Sequence, residues 1–129
     1  MGISINEFSK ALISLDEALQ LYRKAKTASP EQAAFRDASI QRFEYCIELS
    51  WKLSVKVLGS NTAAAKPAIR EMARNNLISD PNQWIDFIDA RNETSHSYDD
   101  AVAKKVFAAI EAFLPLAKQL EKTLSKAAE

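Results

Sequence analysis

The only histidine of this chain, His96, lies in RNETSHSYDD at residues 91–100, five positions after Arg91 and two before Tyr98. Arg91 is also the only lysine or arginine between Asp80 and Asp100, a span that carries six carboxylates. A guanidinium stays charged and grips phosphate oxygens through parallel N–H donors. An imidazole titrates near neutrality and can take or give a proton. Together Arg91 and His96 have the chemistry of a phosphate site, to which Asn92 adds an amide donor. Tyr98 offers a phenol that can hydrogen-bond substrate or accept a covalent modification. Cleaving RNA without metal needs a base for the 2′-hydroxyl, an acid for the leaving oxygen and a cation for the phosphorane. One chain supplies a single imidazole, so a two-fold dimer that presents two would make association part of the mechanism.

The same residues also have structural readings. On a wheel of 100° per residue Arg91 falls within the apolar face formed by Trp84, Phe87 and Ile88, while Asp86, Asp89 and Glu93 lie about 140–160° away. A cation on a packing face needs a partner, because burying it unpaired is very costly. Glu44 or Glu48 on another helix would serve. A histidine at a helix end can cap the last carbonyls, and an exposed tyrosine at a helix start can be plain surface. In a continuous helix Arg91 and His96 would point about 140° apart. They can converge only if the helix stops near Asn92 to Ser95, or across a dimer axis. Thr94 and Ser95 are poor helix formers and favour such a stop.

The elements that must position these groups are helical. Ile5, Phe8, Leu12, Leu15, Leu19 and Tyr22 recur at steps of three and four and predict a first amphipathic helix. Ser29-Pro30-Glu31-Gln32 combines a capping hydroxyl with proline at the first helical position and opens a second helix, predicted from Pro30 to Leu58 and stopped by Gly59. Its apolar stripe takes in Phe43, Cys46, Ile47, Leu53, Val57 and Leu58, and Glu44, Glu48, Lys52 and Lys56 form an i,i+4 row that reads as a solvated face. Pro67 is expected to open a short helix through Asn76. Asp80-Pro81-Asn82-Gln83 repeats the cap-and-proline pattern and opens a fourth helix. Asp99 or Asp100 caps a fifth, with the stripe Val102, Val106, Ile110, Phe113, Leu120 and Leu124 and a kink expected at Pro115. The expected fold is all-α, an antiparallel bundle of five helices resembling a four-helix up-and-down bundle, in one domain over residues 1–129. Amphipathic helices of this length in 129 residues leave apolar surface over, and a homodimer is expected to cover it.

Composition narrows the chemistry. Seventeen basic residues offset seventeen acidic ones, so net charge requires neither nucleic acid nor membrane as a partner. A lone cysteine, Cys46, makes no intrachain disulfide and fits a reducing cytoplasm; with Phe43 and Ile47 beside it, it reads as a buried hydrophobe. The longest mostly apolar run, VFAAIEAFLPLA, is too short to span a bilayer. Two distant glycines exclude a glycine-rich phosphate loop, one histidine and one cysteine cannot close a zinc site, and Asp86, Asp89 and Glu93 have the spacing of any acidic helix face. No metal and no cofactor is expected.

With these residues in view, the chain resembles a HEPN domain, in particular the branch known as nucleotidyltransferase substrate-binding proteins. QRFEYCIELSWK at 41–52, AIREMARNNLI at 68–78 and RNETSHSYDD carry the likeness, which extends from about Ile5 to Leu124. The family mark of arginine, polar residue, spacer, histidine, any residue and tyrosine is matched by Arg91, Asn92, Glu93-Thr94-Ser95, His96, Ser97 and Tyr98. The resemblance implies a helical bundle dimerised with the motif near its two-fold axis and a cognate minimal nucleotidyltransferase as partner. It also implies one of two activities. In the preferred reading the chain is a toxin, a metal-independent endoribonuclease in which Arg91 and His96 are catalytic and Asn92 orients, neutralised when the transferase adds AMP to Tyr98. In the alternative the chain is a non-catalytic subunit that holds nucleotide or substrate for the transferase. The acidity of the motif segment favours the alternative, because it repels RNA unless Lys104 and Lys105, or Arg70 and Arg74, compensate.

Overall fold

A computed structural model describes residues 4–94 and 99–127. It contains five helices, α1 (Ile5–Lys24), α2 (Pro30–Val57), α3 (Ala65–Arg74), α4 (Pro81–Glu93) and α5 (Asp100–Ala127), and no strand among the described residues. Each long helix begins where a side chain can take up an orphan amide. Ser4 Oγ accepts from Glu7 N at 3.1 Å, Ser29 Oγ from Gln32 N at 3.0 Å, and Asp99 Oδ1 from Val102 N at 2.9 Å. α2 ends with Leu58 as its cap, and Gly59 follows at φ +69°, a left-handed conformation that glycine adopts without a Cβ penalty.

Helix boundaries differ from the sequence expectation by one or two residues, most clearly in α3, which ends at Arg74 and not at Asn76. α3 starts at Ala65, not at Pro67, and Ala64 provides no side-chain cap. The proline is tolerated there because amides of a first turn have no intrahelical acceptor. α5 runs unbroken through Pro115.

The predicted stripes meet in one core. Phe8, Leu12, Leu15 and Leu19 of α1, Phe43, Cys46 and Ile47 of α2, Ile69 and Met72 of α3, and Ile110, Phe113, Leu120 and Leu124 of α5 are essentially inaccessible to solvent. α2 is the hub, packed against all four other helices. Three buried serines on it satisfy themselves locally: Ser39, Ser50 and Ser54 each donate to a carbonyl three or four residues back, at 2.7–2.8 Å. At the centre four rings from three helices meet edge to face. Phe113 of α5 lies 5.2 Å from Phe43, 5.4 Å from Phe87 and 5.6 Å from Trp84.

Around this core α5 is tied to its neighbours by charged contacts. Arg23 reaches Glu111 at 3.3 Å, Lys118 reaches Asp16 at 3.2 Å, Arg36 reaches Asp100 at 3.6 Å and Lys105 reaches Glu93 at 2.8 Å; Ser9 Oγ donates to Glu121. No helix among the described residues is long and apolar enough to cross a membrane.

Cys46 is a core side chain, with its Sγ–H directed at Ala11 O at 3.2 Å. Burial pushes its thiol pKa up to about 12, so almost no thiolate forms at ordinary pH. Native protein at pH 8 is therefore expected to resist an aromatic disulfide reagent for hours, and to react within minutes in denaturant. Rapid labelling of the native protein would contradict this burial.

Candidate functional site

α4 is the element that carries the motif into place. Asp80 Oδ1 accepts from Gln83 N at 3.2 Å and Pro81 occupies the first turn, which sets the helix start. Trp84, Phe87 and Ile88 then anchor one face in the core. Arg91 follows Phe87 by four residues on that same face, so its guanidinium is aimed at α2. Its Nε lies 3.8 Å from Glu48 Oε1, with Arg91 32% exposed and Glu48 33%. The Nε atom is buried, yet it makes no hydrogen bond. The pair is therefore an electrostatic neighbour contact and not a locked fork, and a donor of Arg91 is left unspent. Glu48 is shared, since Lys52 Nζ sits 3.2 Å from its other oxygen. One carboxylate thus faces two cations, and the row expected to be a solvated face contributes directly to the surroundings of Arg91.

The helix stops two residues past Arg91. Thr94 caps α4, its hydroxyl donating to Arg91 O at 2.7 Å and its amide to the same oxygen at 3.3 Å. The stop falls inside the expected window from Asn92 to Ser95. His96 and Tyr98 lie outside the described residues, so the predicted convergence of Arg91 and His96 does too.

Asn92 takes a different direction from Arg91. It lines a cleft of about 570 Å³ between α4 and α5, together with Asp86, Asp89, Glu93 and Lys105. The acids there are partly neutralised: Lys66 of α3 sits 2.7 Å from Asp89, and Lys105 sits 2.8 Å from Glu93. The hydrogen bond from Lys105 to Glu93, reinforced by that charge, holds the ammonium pKa above its ordinary value. Lys105 is thereby spent on Glu93, whereas Lys104, Arg70 and Arg74 are exposed. Among the described residues no three potential ligand side chains gather as a metal site would require.

A second feature was not singled out by the sequence. Tyr45 on α2 is 53% exposed and lines a groove of about 430 Å³ between α1 and α2. Its hydroxyl only grazes Glu7, at 3.5 Å. The signal that could have marked it is its place three residues before Glu48, on the outward side of a helix whose apolar stripe faces inward.

Comparison with known proteins agrees with this architecture. The family model described as nucleotidyltransferase substrate binding protein like matches residues 3–126. A probable ribonuclease HepT of Haemophilus influenzae is 29% identical over 124 residues, covering 87% of this chain and 85% of its own. A Haemophilus influenzae structure described as the fold of a substrate binding domain of a nucleotidyltransferase superposes with TM-score 0.80 at 28% identity, over 95% of this chain and 99% of that one. A crystal structure from Thermus thermophilus gives TM-score 0.76 at 31% identity, over 91% and 98% of the two chains.

Proposed function

This chain belongs to the family of nucleotidyltransferase substrate binding protein like domains, and on that footing we propose that it is a metal-independent endoribonuclease acting as the toxin of a two-component cytoplasmic pair. The observation that carries the reading is Arg91, a cation on a packing face whose buried Nε has no hydrogen-bond partner and whose only described carboxylate neighbour stands at 3.8 Å. A phosphate oxygen would supply the missing acceptor. The ribonuclease name of the Haemophilus influenzae relative supports the same direction.

In this mechanism Arg91 stabilises the charge that builds on the phosphorane. His96 of one protomer takes the proton of the 2′-hydroxyl as its oxygen bonds to phosphorus, and a second His96 across a two-fold axis protonates the departing 5′-oxygen. The products are a 2′,3′-cyclic phosphate and a 5′-hydroxyl. Asn92 orients the strand from the α4–α5 side. The cognate nucleotidyltransferase silences the toxin by joining the Tyr98 phenol oxygen to the α-phosphate of ATP, with release of pyrophosphate. This places a charged adenylate two residues from the proton-transfer group.

Glu48 tempers the site. Its carboxylate attracts the same guanidinium that the phosphate must engage, with an energy on the order of 1 kcal/mol at this exposure. Glu48→Gln is therefore expected to tighten binding of an uncleavable oligonucleotide by about threefold to tenfold at low salt. Unchanged affinity, measured by fluorescence anisotropy, would show that Glu48 does not compete.

The test of the function is purified protein, free of its partner, incubated with RNA in excess chelator. Cyclic-phosphate ends are expected, and they should vanish after treatment with the transferase and ATP, together with a mass increase at Tyr98. Intact RNA would leave the second reading, a non-catalytic subunit that presents nucleotide or substrate to the transferase. The acidic surroundings of Asn92 and the engagement of Lys105 by Glu93 favour that alternative. Calorimetry with nucleotides and with the transferase would then decide whether it holds.

A further inference from the structure

We infer that the groove between α1 and α2 is a stacking site for a base of single-stranded RNA, with Tyr45 as its platform. Tyr45 presents a large, half-exposed aromatic face with a polar tip, a side-chain type enriched at binding surfaces. Among the described residues Tyr45 is the only aromatic that is exposed to this degree, at 53%. The groove beside it has a volume of about 430 Å³, within the range that holds a small ligand. Its floor is pinned, because Arg42 Nη1 donates to Ser14 O at 2.7 Å across the two helices.

The polar groups around the ring suit a nucleotide. Lys10 and Arg42 bring positive charge to the groove, Gln41 can both donate and accept at a base edge, and Glu7 accepts. Glu7 would repel a phosphate, so the backbone of a bound strand is expected on the Lys10 and Arg42 side. Stacking needs no particular base, since each has a π-face.

Position supplies the second argument. Tyr45 precedes Glu48 by three residues on α2, which sets their Cβ atoms about 5–6 Å apart on one face, and Glu48 is the neighbour of Arg91. A strand whose phosphate engages Arg91 would therefore have an adjoining nucleotide within reach of the Tyr45 ring. The inference rests on the phosphate role proposed for Arg91 and adds to it a residue for strand binding.

The experiment is anisotropy of a labelled 2′-O-methyl single strand, which lacks the nucleophile and cannot be cleaved, with wild type, Tyr45→Phe, Tyr45→Ala and Tyr45→Trp. Loss of affinity by about tenfold or more is expected for Tyr45→Ala, with Tyr45→Phe within about twofold of wild type. The indole of Tyr45→Trp should be quenched on binding. Wild-type affinity in Tyr45→Ala, or equal loss in Tyr45→Phe and Tyr45→Ala, would overturn the stacking role, as would a wild type that binds no strand. Retention of RNA affinity in Tyr45→Ala with lost capture of the transferase would overturn it in favour of a protein contact. Cleavage by wild type and its loss in Arg91→Ala are read separately, so the groove can fail while the proposed function stands.

Discussion

Arg91→Ala is expected to lower the rate of RNA cleavage by about 100- to 1000-fold, the usual cost of deleting one preorganised group that meets developing charge. The fold should survive the change, because the guanidinium is one-third exposed and makes no hydrogen bond through its buried Nε. Arg91→Lys should recover little, since an ammonium cannot reproduce the planar pair of donors. His96→Ala is expected to cost about 100- to 10,000-fold through the loss of proton transfer. It should also flatten the pH–rate profile, whereas Arg91→Ala should lower the profile without changing its shape. Gel assays in chelator, with circular dichroism as the control for folding, would measure all three variants. Rates within about twofold of wild type would remove Arg91 and His96 from the catalytic scheme.

The largest effect on stability is expected from Phe113→Ala, at about 3–5 kcal/mol. Phe113 is fully buried and stands edge-on to Phe43, Trp84 and Phe87, so its removal opens a cavity bounded by three helices and deletes three ring contacts at once. Against a typical domain stability of about 5–15 kcal/mol this is a large fraction. Urea unfolding should show the midpoint falling sharply with little change in slope. Two of the three partner rings belong to α4, the helix that aims Arg91. Cleavage by the folded fraction of Phe113→Ala should therefore fall as well. A loss below about 1 kcal/mol would mean that the neighbouring side chains close the cavity.

Much of the bundle could be read from spacing. The α1, α2 and α5 stripes, the Ser29-Pro30 and Asp80-Pro81 starts and the Gly59 stop all act within one or two turns, where local chemistry decides the outcome. α3 began earlier than Pro67 suggested because a proline is neutral through the first turn, so it marks a helix start only loosely. Within the site, the wheel placed Arg91 on the packing face of α4 and offered Glu44 or Glu48 as partners. The choice of Glu48 depends on how α4 lies across α2, a register that neither helix encodes alone. Tyr45 stayed hidden for a related reason. Its exposure follows from how far α1 covers α2, and a tyrosine inside a helical repeat looks the same in sequence whether it faces core or solvent.

The charged ties of α5 have a practical corollary. Arg23–Glu111, Lys118–Asp16, Arg36–Asp100 and Lys105–Glu93 all engage at least one side chain that is nearly half or more exposed, where dissolved ions weaken them readily and each is worth little. The terminal rod is instead seated by its apolar stripe, which salt does not loosen. Association with a polyanionic strand weakens steeply under the same treatment. If the chain binds RNA as proposed, a potassium chloride titration acts as a scalpel, able to detach the strand while leaving the architecture beneath it whole.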